Sequence, residues 1–399
     1  MIPPYSATYS YSELSKCIRL SSKDTTEIEL CSRLRGIYNK KYVHLFNTAR
    51  AALYYLLRAY ERPGGVIIPS FTCITVPEAI KFAGYYPEFV DVYYPSLDMD
   101  LKQLVRAINS EVTVILGIHT FGLPCHVEEI REIAHYHNLI FVEDAAPAIG
   151  GEYRGQIVGS FGDVSILSFN HGKVVSGEDG GALLTDNPEI DQAVQKLIKA
   201  ELVSNNRGLS LVKAILRKMQ TNPWLYSIKN KVQKKDYDEI LKRGIPPTQD
   251  IPSSYRNKCS PISSALILQQ LENLDSNLMR RKKIGQIYQE ELANLSWLIL
   301  PTIPRDCSPT WVQFPVFVQN KIDFYHYMKK CGIDMSMNYP YSVAESFSKE
   351  NFVNSRQVVD TIIGFPTYPM LTDLKIKSIC DKAKGFIHNH KTFIGDRVK

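Results

Sequence analysis

Two acids and a lysine follow predicted strands in the first half of the chain. Glu143 and Asp144 come directly after a buried strand, and open α/β sheets bind ligands at the carboxyl ends of their strands. Ser168 ends the next predicted strand, and Lys173 lies in the loop that follows. In that loop, Gly172 permits a close approach of the backbone to a ligand. We therefore expect Asp144 and Lys173 to converge.

The chemistry that Asp144 and Lys173 can perform together is specific. A lysine in a partly desolvated site can be a neutral nucleophile, and an aspartate can keep a heteroaromatic nitrogen protonated. Those are two demands of pyridoxal phosphate chemistry. Taken singly, each residue has a plainer interpretation, because an aspartate at a strand end is often a helix cap and a loop lysine is often exposed.

The elements around these residues alternate between short β-branched runs and amphipathic stretches from about residue 43 to 186. This pattern is typical of a parallel sheet with crossover helices. The predicted strands are 66–68, 87–92, 112–118, 139–143, 164–169 and 182–185. The predicted helices between them are 48–60, 76–82, 100–108 and 127–137. The last two strands are joined by a loop that is too short for a crossover helix.

The pattern restarts near residue 260, which predicts a second domain of the α+β type. A long helix is expected over 262–293, a strand over 312–318, and helices over 322–331 and 374–386. We predict a large domain over residues 1–255, with an insertion at about 196–255, and a smaller carboxy-terminal domain over 256–399.

Composition excludes several classes of protein. The 399 residues are 44% hydrophobic and 22% charged, which is typical of a globular chain and not of a disordered one. The net charge of +6 is too small to indicate nucleic-acid binding. The first residues do not resemble a secretory signal, and no apolar run is long enough for a membrane-spanning helix. The eight cysteines have no metal-ligand spacing, so we expect no metal site and reduced thiols in the cytoplasm.

The positive charge is concentrated in residues 196–235. Ten basic residues and one acid give this segment a charge of +9, so the rest of the chain carries about −3. Apolar residues at helical spacing accompany the charges and predict a basic amphipathic helix. One interpretation is contact with an anionic membrane or with a polyphosphate-bearing substrate. The other is a solvated helical insertion that packs its apolar side on the body.

Motifs along nearly the full length resemble one family, the DegT/DnrJ/EryC1/StrS sugar aminotransferases. The motifs are Val66–Thr72, Phe89–Val92, His119–Gly122, Glu143–Ala146, Gly159–Asp163, Ser168–Phe169 with Lys173, Gly180–Gly181 and Phe365–Pro369. The resemblance implies pyridoxal 5'-phosphate as the cofactor and the aspartate aminotransferase fold, fold type I. In that α/β fold, a large domain with a mixed, mostly parallel sheet carries a smaller α+β domain.

The resemblance also implies roles for individual residues. Lys173 matches the lysine that bonds covalently to the cofactor and then shuttles a proton, and Asp144 matches the acid that pairs with the pyridinium nitrogen. Ala146 lies where the family packs a small side chain against the ring. Ser168 matches a hydroxyl that binds the cofactor phosphate. The amino end of the helix that begins near Thr48 is expected to bind the same phosphate.

Some positions depart from the family pattern. Ala49 and Arg50 replace a Gly-Thr pair, so Arg50 is expected either to bind the phosphate or to point to solvent. Pro147 replaces a glutamine that contacts the phenolic oxygen of the cofactor. Cys73 stands where an aromatic side chain often stacks on the ring.

Two further residues have open roles. His171 can be catalytic or a hydrogen-bonded loop histidine. Asn257 lies in the segment 255–258, where the family lends polar residues to the phosphate site of the neighbouring subunit. A dehydratase branch of the family replaces the lysine by histidine, so the presence of Lys173 favours transamination.

The resemblance implies a cytoplasmic, homodimeric aminotransferase. It implies glutamate as the amino donor and a nucleotide-linked keto sugar as the acceptor, in surface polysaccharide or secondary-metabolite biosynthesis. The alternatives are a dehydratase or lyase, a non-sugar or lipid-linked ketone as the acceptor, and a silent protein that binds pyridoxal phosphate and acts as a regulator. Peripheral membrane contact through the basic insertion is a further possibility, whereas no nucleic-acid partner is expected.

Overall fold

The computed structural model describes residues 1–21, 25–205, 207–232, 246–337 and 339–386. The helices of these ranges are α1 (Tyr11–Leu20), α2 (Thr26–Tyr38), α3 (Ala49–Tyr60), α4 (Thr75–Phe82), α5 (Leu101–Ala107), α6 (Val127–Tyr136), α7 (Pro188–Glu201), α8 (Arg207–Gln220), α9 (Pro223–Val232), α10 (Pro261–Glu272), α11 (Leu274–Leu292), α12 (Lys321–Lys330), α13 (Val353–Thr361) and α14 (Asp373–Lys384). The strands are β1 (Tyr42–Phe46), β2 (Gly65–Pro69), β3 (Tyr86–Val90), β4 (Val112–Ile118), β5 (Ile140–Asp144), β6 (Glu152–Tyr153), β7 (Gln156–Ile157), β8 (Val164–Ser168), β9 (Gly181–Thr185), β10 (Leu298–Ile299), β11 (Cys307–Ser308), β12 (Phe314–Val318) and β13 (Ile362–Phe365).

The largest sheet has seven strands in the order β1-β9-β8-β5-β4-β2-β3. The strands from β3 to β8 pair in parallel, whereas β9 is antiparallel to both β8 and β1. The prediction of a mixed, mostly parallel sheet is therefore confirmed. The predicted loop between β8 and β9, without a crossover helix, is also confirmed. Lys173 lies in this loop. The sequence analysis did not predict α1, α2 or β1.

Both faces of the sheet are covered, as the continuous apolar strands require. Val66 and Ile68 pack with α3 on one face, whereas Ile67 packs on the other with residues of α5 and α6. Side chains of a strand alternate between its two faces, so one apolar run supplies two cores. The parallel strands are thereby held rigidly, with their carboxyl ends at a common edge.

The carboxy-terminal part packs around the three-stranded antiparallel sheet β10-β12-β13, and Phe71, Val92 and Phe121 from the first half of the chain join its core. The single helix predicted over 262–293 is wrong, because Asn273 separates α10 from α11 with φ −105° and ψ 15°. Its N–H donates to carbonyls of the preceding turn and so ends α10. Helix α10 packs on α1 and α2, and α11 packs on α14. The domain boundary at residues 255/256 stays a prediction.

The basic segment contributes two helices, α8 and α9, which pack against each other. Helix α8 also packs on α1 and α10. Of the predicted basic residues, Lys234 and Lys235 lie outside the described ranges. Within those ranges, no helix has the length and apolar character needed to cross a bilayer. All eight cysteines are free thiols.

Candidate active site

A cavity of about 280 Å³ opens at the edge where the parallel strands end. Asp144 is the last residue of β5 and Ser168 is the last residue of the neighbouring β8. The cavity is lined by seven of the predicted site residues, namely Ala49, Arg50, Cys73, Asp144, Ala146, Ser168 and Lys173. Residues separated by up to 124 positions in the chain thus meet because parallel strands place their carboxyl ends together.

The two charged groups of the cavity influence each other. Burial raises the pKa of Asp144, although the charge of Lys173 and the N–H of Ala146 favour the carboxylate. That N–H donates to Asp144 Oδ1 at 2.9 Å. Burial lowers the pKa of Lys173, and the charge of Asp144 opposes the shift. The site therefore holds a lysine that loses its proton more readily than an exposed one.

The amino end of α3 forms one wall of the cavity. Thr48 is its N-cap, with its hydroxyl accepting the N–H of Ala51 at 3.2 Å. The first N–H groups of a helix have no partner within the helix, and Ala49 and Arg50 carry two of them at the cavity. A Cβ at Gly181 would lie 2.3 Å from the Ala49 nitrogen, so only glycine lets β9 approach this end of α3. The wall is suited to an anion.

Two buried polar atoms of the cavity lack hydrogen-bond partners in the described structure, Thr120 Oγ1 and His171 Nδ1. Glu178 Oε1 lies 3.8 Å from His171 Nδ1, beyond the distance of a hydrogen bond. Both roles that the sequence analysis gave to His171 stay predictions. Unpaired buried polar atoms at a cavity indicate that a ligand completes their bonding.

Aromatic residues form another wall, and the sequence analysis did not predict its composition. Phe71 and Phe121 lie beside Tyr339, with ring centroids 5.5 Å and 6.0 Å from the tyrosine. Tyr5 also lines the cavity, from the amino-terminal segment. Phe71 and Phe121 belong to motifs that the sequence analysis recognised. Tyr5 and Tyr339 carry no local signal, since only the fold brings distant segments to this edge.

Asn257 is the one predicted site residue outside this cavity. It lines a neighbouring cavity that shares Thr48, Arg50 and Asn170 with the first. Its carbonyl oxygen accepts the N–H of Asn47 at 3.3 Å. The predicted role of Asn257 toward a neighbouring subunit stays a prediction.

The residues around the cavity fit the parts of pyridoxal phosphate. The helix end at Ala49 and Arg50, together with the Ser168 hydroxyl, supplies donors for a phosphate. Asp144 supplies the buried carboxylate that a pyridinium nitrogen requires, and Lys173 supplies the amine for the carbonyl. Pro147 also lines the cavity and has no side-chain donor for the phenolic oxygen.

Comparison with known sequences identifies related enzymes. A 24% identity over 409 residues links the chain to GDP-perosamine synthase of Vibrio cholerae, covering 97% of this chain and 100% of that one. The dTDP-3-amino-3,6-dideoxy-alpha-D-galactopyranose transaminase of Aneurinibacillus thermoaerophilus is 25% identical, with 84% and 83% covered. A dTDP-4-dehydro-2,6-dideoxy-D-glucose 3-dehydratase of Saccharopolyspora spinosa is 24% identical, with 89% and 79% covered.

Solved structures share the fold. The aminotransferase TlmJ from Streptoalloteichus hindustanus superposes with a TM-score of 0.78 at 17% identity, covering 98% of this chain and 99% of that one. PseC of Helicobacter pylori, an aminotransferase of pseudaminic acid biosynthesis, gives a TM-score of 0.77 at 18% identity, with 96% and 99% covered. The model of the DegT/DnrJ/EryC1/StrS aminotransferase family matches residues 22–384. The chain belongs to this family of aminotransferases, and its cofactor is pyridoxal phosphate.

Proposed function

We propose that the protein transfers an amino group from glutamate to a keto sugar carried on a nucleotide, in the biosynthesis of a surface polysaccharide or a secondary metabolite. The observation that carries the proposal is the placement of Asp144 and Lys173 in one cavity beside the amino end of α3. Relatives named as nucleotide-sugar transaminases support the class of acceptor. We place the reaction in the cytoplasm and expect a homodimer.

When bound, pyridoxal phosphate supplies a carbonyl that can exchange oxygen for nitrogen and a ring that withdraws electrons. Asp144 keeps the ring nitrogen protonated, because a buried carboxylate favours a cation beside it. With the cofactor bound, Lys173 Nζ would take the proton from the α-carbon of the donor and deliver it to the carbon of the cofactor that carried the carbonyl oxygen. For the acceptor, Lys173 would move the proton in the opposite direction.

Other residues bind and orient. Arg50, the helix end at Ala49 and the Ser168 hydroxyl hold the phosphate, so the reacting atoms stay in reach of Lys173. Ala146 leaves space for the ring, being small and held by its own N–H bond to Asp144. The aromatic wall formed by Phe71, Phe121 and Tyr339 limits the access of water.

The test is a visible absorption spectrum of the purified protein with added pyridoxal phosphate, before and after glutamate. We expect the covalently bound cofactor band in the wild-type protein, and its loss when glutamate is added. Lys173→Ala should lack the band, whereas Lys102→Ala, at an exposed position, should retain it. Addition of a nucleotide-linked keto sugar should then restore the band, and the same sugar without its nucleotide should restore it poorly.

A bound cofactor that responds to no amino donor would contradict transamination. In that case the dehydratase or lyase interpretation, or a silent protein, would replace it. If glutamate removes the band but no keto sugar restores it, the protein is still a transaminase. Only the proposed class of acceptor would then be wrong.

A further inference from the structure

The hydroxyl of Thr120 is a buried donor without an acceptor in the protein. Thr120 is 6% exposed and lines the cavity, and within the described residues its Oγ1 has no hydrogen-bond partner. A buried hydroxyl that stays unpaired costs free energy, so such a group at a cavity indicates a ligand atom that accepts from it. The donors for the phosphate, the acid for the ring nitrogen and the amine for the carbonyl are all supplied by other residues.

The turn that carries Thr120 has a fixed backbone. Thr120 begins a tight turn after β4, in which Phe121 has φ 56° and ψ 16°. A bulky residue in this left-handed region is strained, and such strain persists only where surrounding contacts hold the backbone. The Phe121 carbonyl accepts the N–H of Val312 at 3.1 Å, and the carbonyl of Gly122 accepts that of Thr310 at the same distance. Thr120 is therefore held at the cavity.

The order of the strands places Thr120 on a definite side of Asp144. At the carboxyl edge of the sheet, β5 lies between β8 and β4, so Asp144 lies between Ser168 and the turn of Thr120. Ile118, which ends β4, is paired with Asp144, and the N–H of His119 donates to the Asp144 carbonyl at 3.2 Å. The phosphate wall is on the other side, because α3 packs on β8, β9 and β1.

Pyridoxal phosphate has a matching arrangement of groups. Its phosphate arm and its phenolic oxygen flank the carbonyl-bearing carbon on opposite sides of the ring, and the ring nitrogen lies opposite that carbon. With the nitrogen at Asp144 and the phosphate at Ser168 and the amino end of α3, the phenolic oxygen is directed to the β4 side. The protonated ring nitrogen makes the phenol acidic, so this oxygen is an anion that accepts hydrogen bonds. Pro147 has no side-chain donor for it.

We propose that the Thr120 hydroxyl donates a hydrogen bond to the phenolic oxygen of the bound cofactor. The inference rests on the proposed placement of the cofactor at Asp144 and Lys173, and it is independent of the amino donor and acceptor. The bond stabilises the negative charge that the oxygen carries in full once the nitrogen linking the cofactor to Lys173 has lost its proton. It therefore lowers the pH at which that proton leaves.

The experiment is a pH titration of the visible cofactor band of the full-length holoenzyme. Thr120→Val removes the hydroxyl with nearly the same shape, and we expect the midpoint of the titration to rise by about one pH unit. Thr120→Ser retains the hydroxyl and should titrate as the wild type does. Thr113→Val is the matched control, since Thr113 lies earlier on β4 and its hydroxyl donates to the Arg62 carbonyl outside the cavity.

Two further measurements separate cofactor binding from a structural role. Fluorescence titration of the apoproteins should show a roughly ten-fold higher dissociation constant for pyridoxal phosphate in Thr120→Val, and no such rise in Thr120→Ser. Urea denaturation should show that apo Thr120→Val is no less stable than the wild type, because the lost hydroxyl has no partner in the protein. The variants retain the other titratable or charged side chains that line the cavity, namely Tyr5, Arg50, Cys73, Asp144, His171, Lys173 and Tyr339.

Wild-type titration and affinity in Thr120→Val would overturn the proposal. Equal shifts in Thr120→Val and Thr120→Ser would overturn it as well, since the change would then come from packing. A raised Michaelis constant for the keto sugar with an unchanged titration would assign the hydroxyl to the acceptor instead. A wild-type protein without the covalent band would contradict the placement of the cofactor, and with it the proposed function, whereas a normal band that Thr120→Val leaves unchanged would refute this bond alone.

Discussion

His119 Nε2 lies 2.9 Å from Glu143 Oε1, and neither side chain is exposed to solvent. The N–H of Cys125 donates to His119 Nδ1 at 3.0 Å, so the proton of the neutral ring is on Nε2 and is donated to Glu143. The carboxylate also accepts the N–H groups of Phe161 and Gly162. Burial by itself would raise the pKa of Glu143, but these donors lower it overall. The pair therefore holds β5 in place immediately before Asp144.

Replacement of Glu143 by alanine should be strongly destabilising. It leaves the buried His119 N–H and the backbone N–H groups of Gly159, Phe161 and Gly162 without their acceptor. We expect the free energy of unfolding to fall by about 3–5 kcal/mol, as for other broken buried charge networks. Urea denaturation measures the loss. Glu132→Ala, at an exposed position of α6, should change stability by less than about 0.5 kcal/mol. Similar stabilities for the two variants would contradict the assigned network.

Asp144→Asn tests the proposed role of the carboxylate without altering its shape. The asparagine oxygen can still accept the N–H of Ala146, so we expect a normal fold and bound cofactor. The neutral amide cannot hold a proton on the pyridinium nitrogen. The glutamate half-reaction, followed by stopped-flow absorbance, should slow by about 100-fold or more. A wild-type rate in this variant would show that Asp144 does not keep the ring nitrogen protonated.

The rate at which the apoprotein bonds covalently to pyridoxal phosphate should depend on pH through Lys173. Only the neutral amine attacks, so the rate rises with pH as the proton is lost. Because burial lowers the pKa of Lys173, the rise should level off below pH 10.5, the ordinary value for lysine. Asp144→Asn removes the charge that opposes this shift, so its plateau should begin at a lower pH. Lys102→Ala should leave the profile unmoved.

Arg50→Ala tests whether the arginine binds the cofactor phosphate. A hydrogen bond to a charged group contributes about 1.5–3 kcal/mol, so the dissociation constant for pyridoxal phosphate should rise roughly ten- to hundred-fold. Arg58→Ala is the control. Arg58 lies on α3, as Arg50 does, but it is outside the cavity and pairs with Glu201 of α7. Fluorescence titration of the apoproteins measures both. Equal affinity in wild type and Arg50→Ala would mean that Arg50 does not contact the phosphate.

Gly181→Ala should disturb the phosphate wall through the backbone. The added Cβ would meet the Ala49 nitrogen at 2.3 Å, so the amino end of α3 must move. We expect cofactor affinity to fall by about ten-fold or more, with a loss of about 1–3 kcal/mol in stability. Gly36→Ala is the matched control, since its Cβ would meet nothing within 4 Å. That control should be neutral or stabilising by up to about 1 kcal/mol, because alanine favours helices more than glycine does.

Much of the site could be predicted from local patterns. The strands before Asp144 and Ser168 are short apolar runs, and the parallel topology places their ends at one edge regardless of side-chain detail. The helix beginning at Thr48 has a capping residue and an apolar stripe within twelve positions. Signals of this kind depend on residues within a single turn or strand. They can therefore be read from the sequence without knowing what the rest of the chain contacts.

Other features depended on tertiary contacts. Tyr5 and Tyr339 reach the cavity from opposite ends of the chain, and the break at Asn273 interrupts a helical pattern that continues through it. The amphipathic pattern of α8 predicted a helix but left open which side faces the body. The ion pair of Arg217 with the buried Glu178 turns the apolar side outward, because an unpaired charge at Glu178 would be costly. The sequence by itself therefore determined most strands and helices of the large sheet and the convergence of Asp144 and Lys173, whereas the fold decided the orientation of the helices and the walls of the cavity.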